Sequence, residues 1–218
     1  WIWDTRVPQF IPKIGSAKAS NLSNKRVLMI GTDMAAGKMT VGLELYSYLK
    51  EKQINTGFVA TGQVGITVTG KGIPLDAYKL DHACGAVESA VMDQKDKDIV
   101  IVEGQGSILH PGSTATLPLM RGTCPTHMIL CHIARNDSLR SLENIKIPDL
   151  KKFIKLNEEL ASVIGTYPDT KVIGIALNTL LMTDEAAKEF IKKTEEKTGL
   201  PATDVIRYGG DKIFSLLI

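Results

Sequence analysis

The chain has 218 residues, 44% of them apolar and 23% charged, with a net charge of +2. A domain of that size buries roughly 70% of its unfolded surface, so it needs no staples, and its charge gives no reason to expect nucleic acid or a membrane as partner. Cys84, Cys124 and Cys131 lack CxxC spacing, which fits a reducing cytoplasm, and no signal peptide or apolar run near the ~18 residues of a membrane span stands out.

In chain order, both tryptophans fall in the opening WIWDTRVPQF, and Pro12 and a small, polar run follow. Residues 1–24 are read as a connector from an absent upstream domain, with an arm lying on its own domain as the alternative; residues 25–218 form the domain proper. The apolar run 27–31 predicts a strand. VLMIGTDMAAGKMT then passes through small residues into a helix over 38–53, with Val41, Leu45, Tyr48 and Leu49 on one face. Further strands are predicted at 56–61, 98–103, 127–132, 172–178 and 203–207, and further helices at 76–94, 149–164 and 184–197, the last capped at Asp184. The charged DQKDKD at 93–98 reads as a solvated helix end and turn. Strands alternating with helices predict an α/β fold of three layers: a mainly parallel sheet of about six or seven strands, flanked by helices. Ligands in such sheets bind at the carboxyl ends of the strands.

The first strand end carries the strongest motif. Gly31, Thr32, Asp33, Ala35, Ala36, Gly37, Lys38, Met39 and Thr40 form a strand–loop–helix stretch of phosphate-cradling type. Loop amides, the helix N-terminus and the Lys38 ammonium would converge on a phosphate. The common pattern places a hydroxyl after the lysine to hold Mg²⁺. Here Met39 takes that place, and a thioether is a poor ligand for a hard cation. Either Thr40 holds the metal one position later, with Glu103 as the second ligand, or the metal matters less.

The third strand runs into Glu103 and a turn, GQGS. A carboxylate there needs a partner such as Lys38 or Mg²⁺. His110, in the loop beyond, is a candidate general base beside Glu103. Asn178, at the end of the strand VIGIALN, can read a purine edge; Leu181 stands where a guanine reader would want an acid, so guanine is disfavoured and adenine remains open. The alternative is that Asn178 caps a turn. Gln63, Gln105, Ser107, His132 and Arg135 are candidate substrate contacts, Arg135 suiting a carboxylate through a bidentate pair. The glycine-rich segment 65–76 is a candidate lid. Cys124, His127, Cys131 and His132 suggest zinc, but on a strand positions 127 and 131 lie about 13 Å apart and 131 and 132 face opposite ways, so no zinc is expected.

GTDMAAGK, VEGQG and GIALN, in that order, resemble the dethiobiotin synthetase group of P-loop proteins. A closer resemblance covers about residues 25–210 and includes FVATGQVGI, GAVE, IVEGQGSILHP, LCH and GLPATDVIRYG. It is to a P-loop family long known only as a domain of unknown function, whose best-understood members are DgcN-type enzymes that N-acetylate D-glutamate and related D-amino acids from acetyl-CoA. The resemblance implies a P-loop NTPase-like fold, an N-terminal Rossmann-like domain in the family's proteins, acetyl-CoA as the ligand of the loop, and an amino acid as the small-molecule substrate. A homo-oligomer is expected. Two other functions stay open: an ATP- and Mg²⁺-dependent ligase or kinase of dethiobiotin synthetase type, and a nucleotide-binding regulatory module.

Overall fold

A computed structural model describes residues 2–134 and 137–218. Its centre is a parallel sheet built on β1 (Lys25–Gly31), β2 (Thr56–Val59), β3 (Ile99–Val102), β4 (His127–Ile133), β7 (Lys171–Asn178) and β8 (Ala202–Thr203), in the order β2-β3-β1-β4-β7-β8. β5 (Ser138–Leu139) and β6 (Leu142–Lys146) form a separate antiparallel hairpin. The expected three-layer α/β architecture is present.

Alternation along each strand divides the core in two. Leu28, Ile30, Val100, Val102, Met128 and Leu130 face one layer; Val27, Met29, Ile99, Ile101, Ile129 and Cys131 face the other. The first layer holds α3 (Leu80–Met92), α4 (Thr116–Thr123), α5 (Leu150–Ser162) and α6 (Asp184–Thr198). The second holds α1 (Lys38–Glu51) and α8 (Asp211–Phe214), with α2 (Gln63–Thr69) and α7 (Val205–Tyr208) at the carboxyl end of the sheet. Because both faces are covered, only the strand ends are open to a ligand. β1 lies between β3 and β4, so the chain's crossovers reverse direction at its carboxyl end, where such sheets bind ligands.

Several predicted boundaries shift for local reasons. The helix expected over 76–94 starts only at Leu80, because Leu75 N–H donates to Thr61 O (3.1 Å) and ties the preceding turn to the end of β2. The strand expected at 203–207 stops at Thr203. Asp204 then accepts from Ile206 and Arg207 N–H (3.1 and 3.2 Å) and caps α7. Of the glycine-rich lid expected at 65–76, residues 65–69 belong to α2, and the stretch after it is tied down by Ile73 N–H to Ala60 O (2.9 Å), with Ile73 and Leu75 buried. Thr183, one residue before the expected cap, takes Ala186 N–H at the start of α6. Residues 12–22, read as part of a connector, lie against α3: the Glu88 carboxylate accepts from Ser16 and Lys18 N–H, and His82 Nδ1 lies 2.8 Å from Pro12 O. No helix among the described residues is long and apolar enough to cross a membrane.

At the opposite end of the sheet, Arg26 is 1% exposed and its guanidinium donates to carbonyls of Leu22, Asn24, Thr123 and Cys124 at 2.8–3.1 Å. Neutral acceptors from two segments thus replace water around a buried cation. Arg26→Met should leave these carbonyls unsatisfied and cost about 3 kcal/mol of stability, read as a lower denaturant midpoint with unchanged slope.

Candidate functional site

The loop between β1 and α1 has no apolar core of its own, so other elements shape it. Thr32 N–H donates to Cys131 O (3.1 Å) and continues the pairing of β1 with β4. The Thr32 carbonyl accepts from Ser107 Oγ (3.0 Å), and Thr32 Oγ1 lies 2.9 Å from His132 Nδ1. The Asp33 carboxylate accepts from Met34 N–H and from Arg140 N–H, both at 2.6 Å, which brings the β5–β6 turn onto the loop. Gly37 caps α1 at φ 100°, a left-handed conformation that glycine adopts without strain. Among the described residues, the N–H groups of residues 35–40 donate to no protein acceptor. This row of free donors at a helix start is the arrangement that binds phosphate.

Lys38 is 5% exposed, and its ammonium donates to Asp33 O (2.8 Å). Burial pushes its pKa below the ordinary value, while Cys131, Asp33 and Glu103 oppose the shift. The Cys131 thiol is itself pushed up to about 12 by burial. It therefore stays protonated at neutral pH, and the two carboxylates hold the lysine charged. Glu103, also 5% exposed, accepts from Thr61 N–H (2.8 Å) and Gly62 N–H (3.1 Å) through Oε2, at the start of α2. Burial pushes its carboxyl up; the two N–H groups and Lys38 pull it back. Next to it, a Cβ on Gly104 would overlap the Met29 carbonyl oxygen, so only glycine fits where the chain turns over β1.

Three cavities join end to end across the loop. One, of about 230 Å³, is lined by Ala36, Gly37, Thr40, Asn178, Leu180 and Arg207, among others. The next, of about 320 Å³, is formed by residues 34–40 and Gly104, Gln105 and Gly106. The third, of about 410 Å³, shares Met34, Gln105 and Gly106 with it and extends to Asp76, Tyr78 and Ser113. The result is a single groove with the phosphate loop at its middle.

The predicted site residues divide accordingly. Gly37, Lys38, Met39, Thr40 and Gln105 line the groove, as do Ala35 and Ala36. Asn178 borders the first cavity, and its Oδ1 accepts from Leu180 N–H (3.1 Å), so it also caps a turn. Gln63 Nε2 donates to the Asp76 carboxylate (2.8 Å) at the edge of the third cavity. Thr32, Asp33, Ser107 and His132 are buried and hold the loop from behind. Neither Glu103 nor His110 lines the groove. His110 Nδ1 accepts from Gly112 N–H (3.1 Å), which leaves the other nitrogen protonated in the neutral ring. Arg135 lies outside the described residues. The ring nitrogens of the residues weighed for zinc have separate partners: His127 Nδ1 lies 2.8 Å from Thr126 Oγ1, and His132 Nδ1 faces Thr32.

Sequence reasoning missed Asp76, Asp204 and Arg207. Asp204 accepts from Thr179 N–H and Oγ1 (2.9 and 2.6 Å), tying the end of β7 to α7, and Arg207 donates to Met182 O (2.8 Å) across the first cavity. An acid right after a short strand, followed by a helical turn, was the available signal.

Residues 13–214 match the family described as a domain of unknown function, the DUF1611 C-terminal P-loop domain. The chain is 34% identical over 203 residues to a D-glutamate N-acetyltransferase of Pseudoalteromonas sp, covering 93% of this chain and 60% of the relative. It is 35% identical over 215 residues to a D-glutamate N-acetyltransferase of Tritonibacter scottomollicae, covering 98% and 63%. The crystal structure of a DUF1611 family protein from Anabaena variabilis has a TM-score of 0.96 at 45% identity, over 99% of this chain and 63% of that one. Cobyrinic acid a,c-diamide synthase from Mycobacterium smegmatis, with bound ADP and magnesium, has a TM-score of 0.53 at 12% identity, over 89% of this chain and 92% of that one, a likeness of fold. The chain thus spans about 60% of the length of the D-glutamate N-acetyltransferases it matches.

Two predictions follow from this geometry. Lys38→Ala should weaken ADP binding roughly 10- to 100-fold and lower the melting temperature without unfolding the chain, since it removes both the loop's cation and the partner of the buried Glu103 carboxylate; calorimetric titration and a melting curve check both parts. Burial pushes His132 from 6.5 down to about 4. The native state therefore binds fewer protons than the unfolded one between those values. The stability this contributes is full above pH 6.5 and is lost as pH falls toward 4, by on the order of 2–3 kcal/mol. His132→Asn keeps an acceptor for the Thr32 hydroxyl and should flatten that acid limb in melts taken across pH.

Proposed function

The chain belongs to the DUF1611 family of P-loop domains, and from that premise we propose that it binds acetyl-CoA and serves transfer of the acetyl group to the amine of a D-amino acid such as D-glutamate. The observation that carries this reading is the continuous groove, with a phosphate loop at its centre and a cavity on each side. Coenzyme A is long, with adenine at one end, a diphosphate in the middle and the thioester at the other. Adenine would enter the cavity beside Asn178 and Arg207, and the diphosphate would meet the free N–H groups of residues 35–40 and Lys38. The thioester would reach the third cavity past Gln105. The names of the curated relatives support the same choice.

In that cavity Asp76 supplies a carboxylate for the acceptor's ammonium, fixed by Gln63. The ammonium must lose a proton before its nitrogen can attack the thioester carbonyl. The C–N bond then forms, the C–S bond breaks, and the second proton ends on the departing thiolate. Of the two expected bases, neither of which lines the groove, Glu103 has its proton affinity raised by burial, and His110 is engaged by Gly112 N–H. Gln105, at the junction of the second and third cavities, is placed to orient the acyl oxygen.

A second reading is favoured by one observation, the proximity of Glu103 to Lys38. It is ATP with Mg²⁺, for which Thr40 and the free Oε1 of Glu103 would be the protein's ligands; the metal would neutralise phosphate charge. Thr40 is exposed on the first turn of α1 and lines the groove, whereas Glu103 is 5% exposed and does not line it.

Parallel calorimetric titrations of the chain separate the two readings. Acetyl-CoA is expected to bind in the micromolar range, about 8 kcal/mol, with ATP and Mg²⁺ at least ~10-fold weaker. Mg²⁺-dependent ATP binding with no acetyl-CoA signal would overturn the transfer reading in favour of a ligase or kinase.

A further inference from the structure

A cavity of about 390 Å³ lies behind the phosphate loop, separate from the groove. This is within the size range of small-molecule sites. Its walls are the end of β4 at His132, the base of the β5–β6 hairpin at Asp137, Ile147 and Pro148, the start of α5 at Asp149 and Leu150, and α6 from Phe190 to Lys197. His132 is 5% exposed. Its Nδ1 is spent on Thr32, its ring stacks on Phe190 (centroids 6.3 Å, planes 25° apart), and among the described residues its Nε2 has no hydrogen-bond partner. The two ring nitrogens lie on opposite flanks of the imidazole, so a side chain holding the loop with one nitrogen turns the other toward this cavity.

The charges at the cavity are mixed. Lys197 pairs with Asp149 at 2.9 Å, and that carboxylate is further held by Lys151 and Lys152 N–H. Lys193 pairs only with Glu189 on an exposed helix face, at 3.2 Å, a contact of small value that a better partner would displace. The Asp137 side chain has no partner among the described residues, while its carbonyl accepts from Ile147 N–H (2.9 Å). Available together are one ammonium, one carboxylate, an apolar wall of Phe190, Leu150 and Pro148, and a neutral imidazole nitrogen.

We propose that this cavity is a second ligand site, for a small zwitterion of the amino-acid class, coupled to the phosphate loop. The ligand's carboxylate meets Lys193, its ammonium meets Asp137, and a polar atom meets His132 Nε2. Coupling has two physical routes, which reach adjacent loop residues. His132 bonds Thr32, and the hairpin whose base forms the cavity wall bonds Asp33 through Arg140 N–H. A ligand that fixes the imidazole or the hairpin therefore biases the loop that binds phosphate, and by linkage the reverse holds equally. The proposal does not depend on acetyl transfer, since ADP, a part shared by ATP and the nucleotide end of coenzyme A, suffices as the probe of the loop.

The test uses the chain with isotope-labelled histidine. Free amino acids, D-glutamate included, are added singly up to about 10 mM while the imidazole nitrogens are followed by NMR. At least one amino acid is expected to shift His132 Nε2 saturably. Its analogue lacking the amine should bind at least ~10-fold more weakly, and Lys193→Glu and Asp137→Asn should each weaken the amino acid by a similar factor. The saturating amino acid should also change the dissociation constant of ADP by at least ~3-fold, and ADP should change that of the amino acid by the same factor. No shift of His132 with any amino acid, or a shift that both variants leave intact, overturns the site. Unchanged ADP affinity overturns the coupling. If acetyl-CoA fails to bind while the His132 shift and the ADP effect persist, the transfer reading falls and this one stands.

Discussion

Everything at this site depends on a short loop that cannot hold its own shape. Residues 32–37 are mostly small or polar, and among the described residues the N–H groups of residues 35–40 donate to no protein acceptor. The constraint on the loop is therefore imposed from outside. Ser107 from the turn after β3, His132 from β4 and Arg140 from the β5–β6 hairpin each bond one of its first two residues, and Lys38 closes it by bonding Asp33 O. Ser107, His132 and Lys38 are buried, where a hydrogen bond is strong and an unpaired group costly. A geometry with free donors is thus fixed largely by groups outside the groove lining, Ser107, His132 and Arg140, with Lys38 the one support that also lines it.

The same economy explains Glu103. A carboxylate at the end of a buried strand would be costly unpaired. It is satisfied by the two N–H groups at the start of α2, with Lys38 close enough to favour its charged form. The acid therefore does two things: it anchors the start of α2, whose Gln63 holds Asp76 at the edge of the groove, and it balances the buried lysine charge. The groove is completed on the far side by Asp204, which joins the end of β7 to α7 and so sets the width of the cavity beside Asn178.

The groove and the cavity behind the loop meet at His132. One face of the loop presents free N–H groups to the groove, and the other rests on an imidazole that borders a second space. Because β4 is the immediate neighbour of β1, its end is joined to the loop by two hydrogen bonds, Thr32 N–H to Cys131 O and His132 Nδ1 with Thr32 Oγ1.

The architecture and the phosphate loop were legible in the sequence because both are local. Alternating apolar runs and helical periods record burial on two faces of a sheet, and GTDMAAGK records a strand, a turn of small residues and a helix start. Asn178 and Gln105 were found by their position just after strands. The roles of Ser107 and His132 were not, because a side chain at a strand end can face a ligand or the loop beside it, and strand order decides which. Only the tertiary structure placed β3 and β4 on either side of β1, turning those two residues into supports of Thr32. It likewise gave His110 to Gly112 rather than to the groove, and brought Asp76 and Asp204 from distant segments to the edges of the cavities. The sequence alone determined the chemistry available; the packing of non-adjacent strands decided which groups face a ligand, since that depends on contacts between residues up to 107 positions apart.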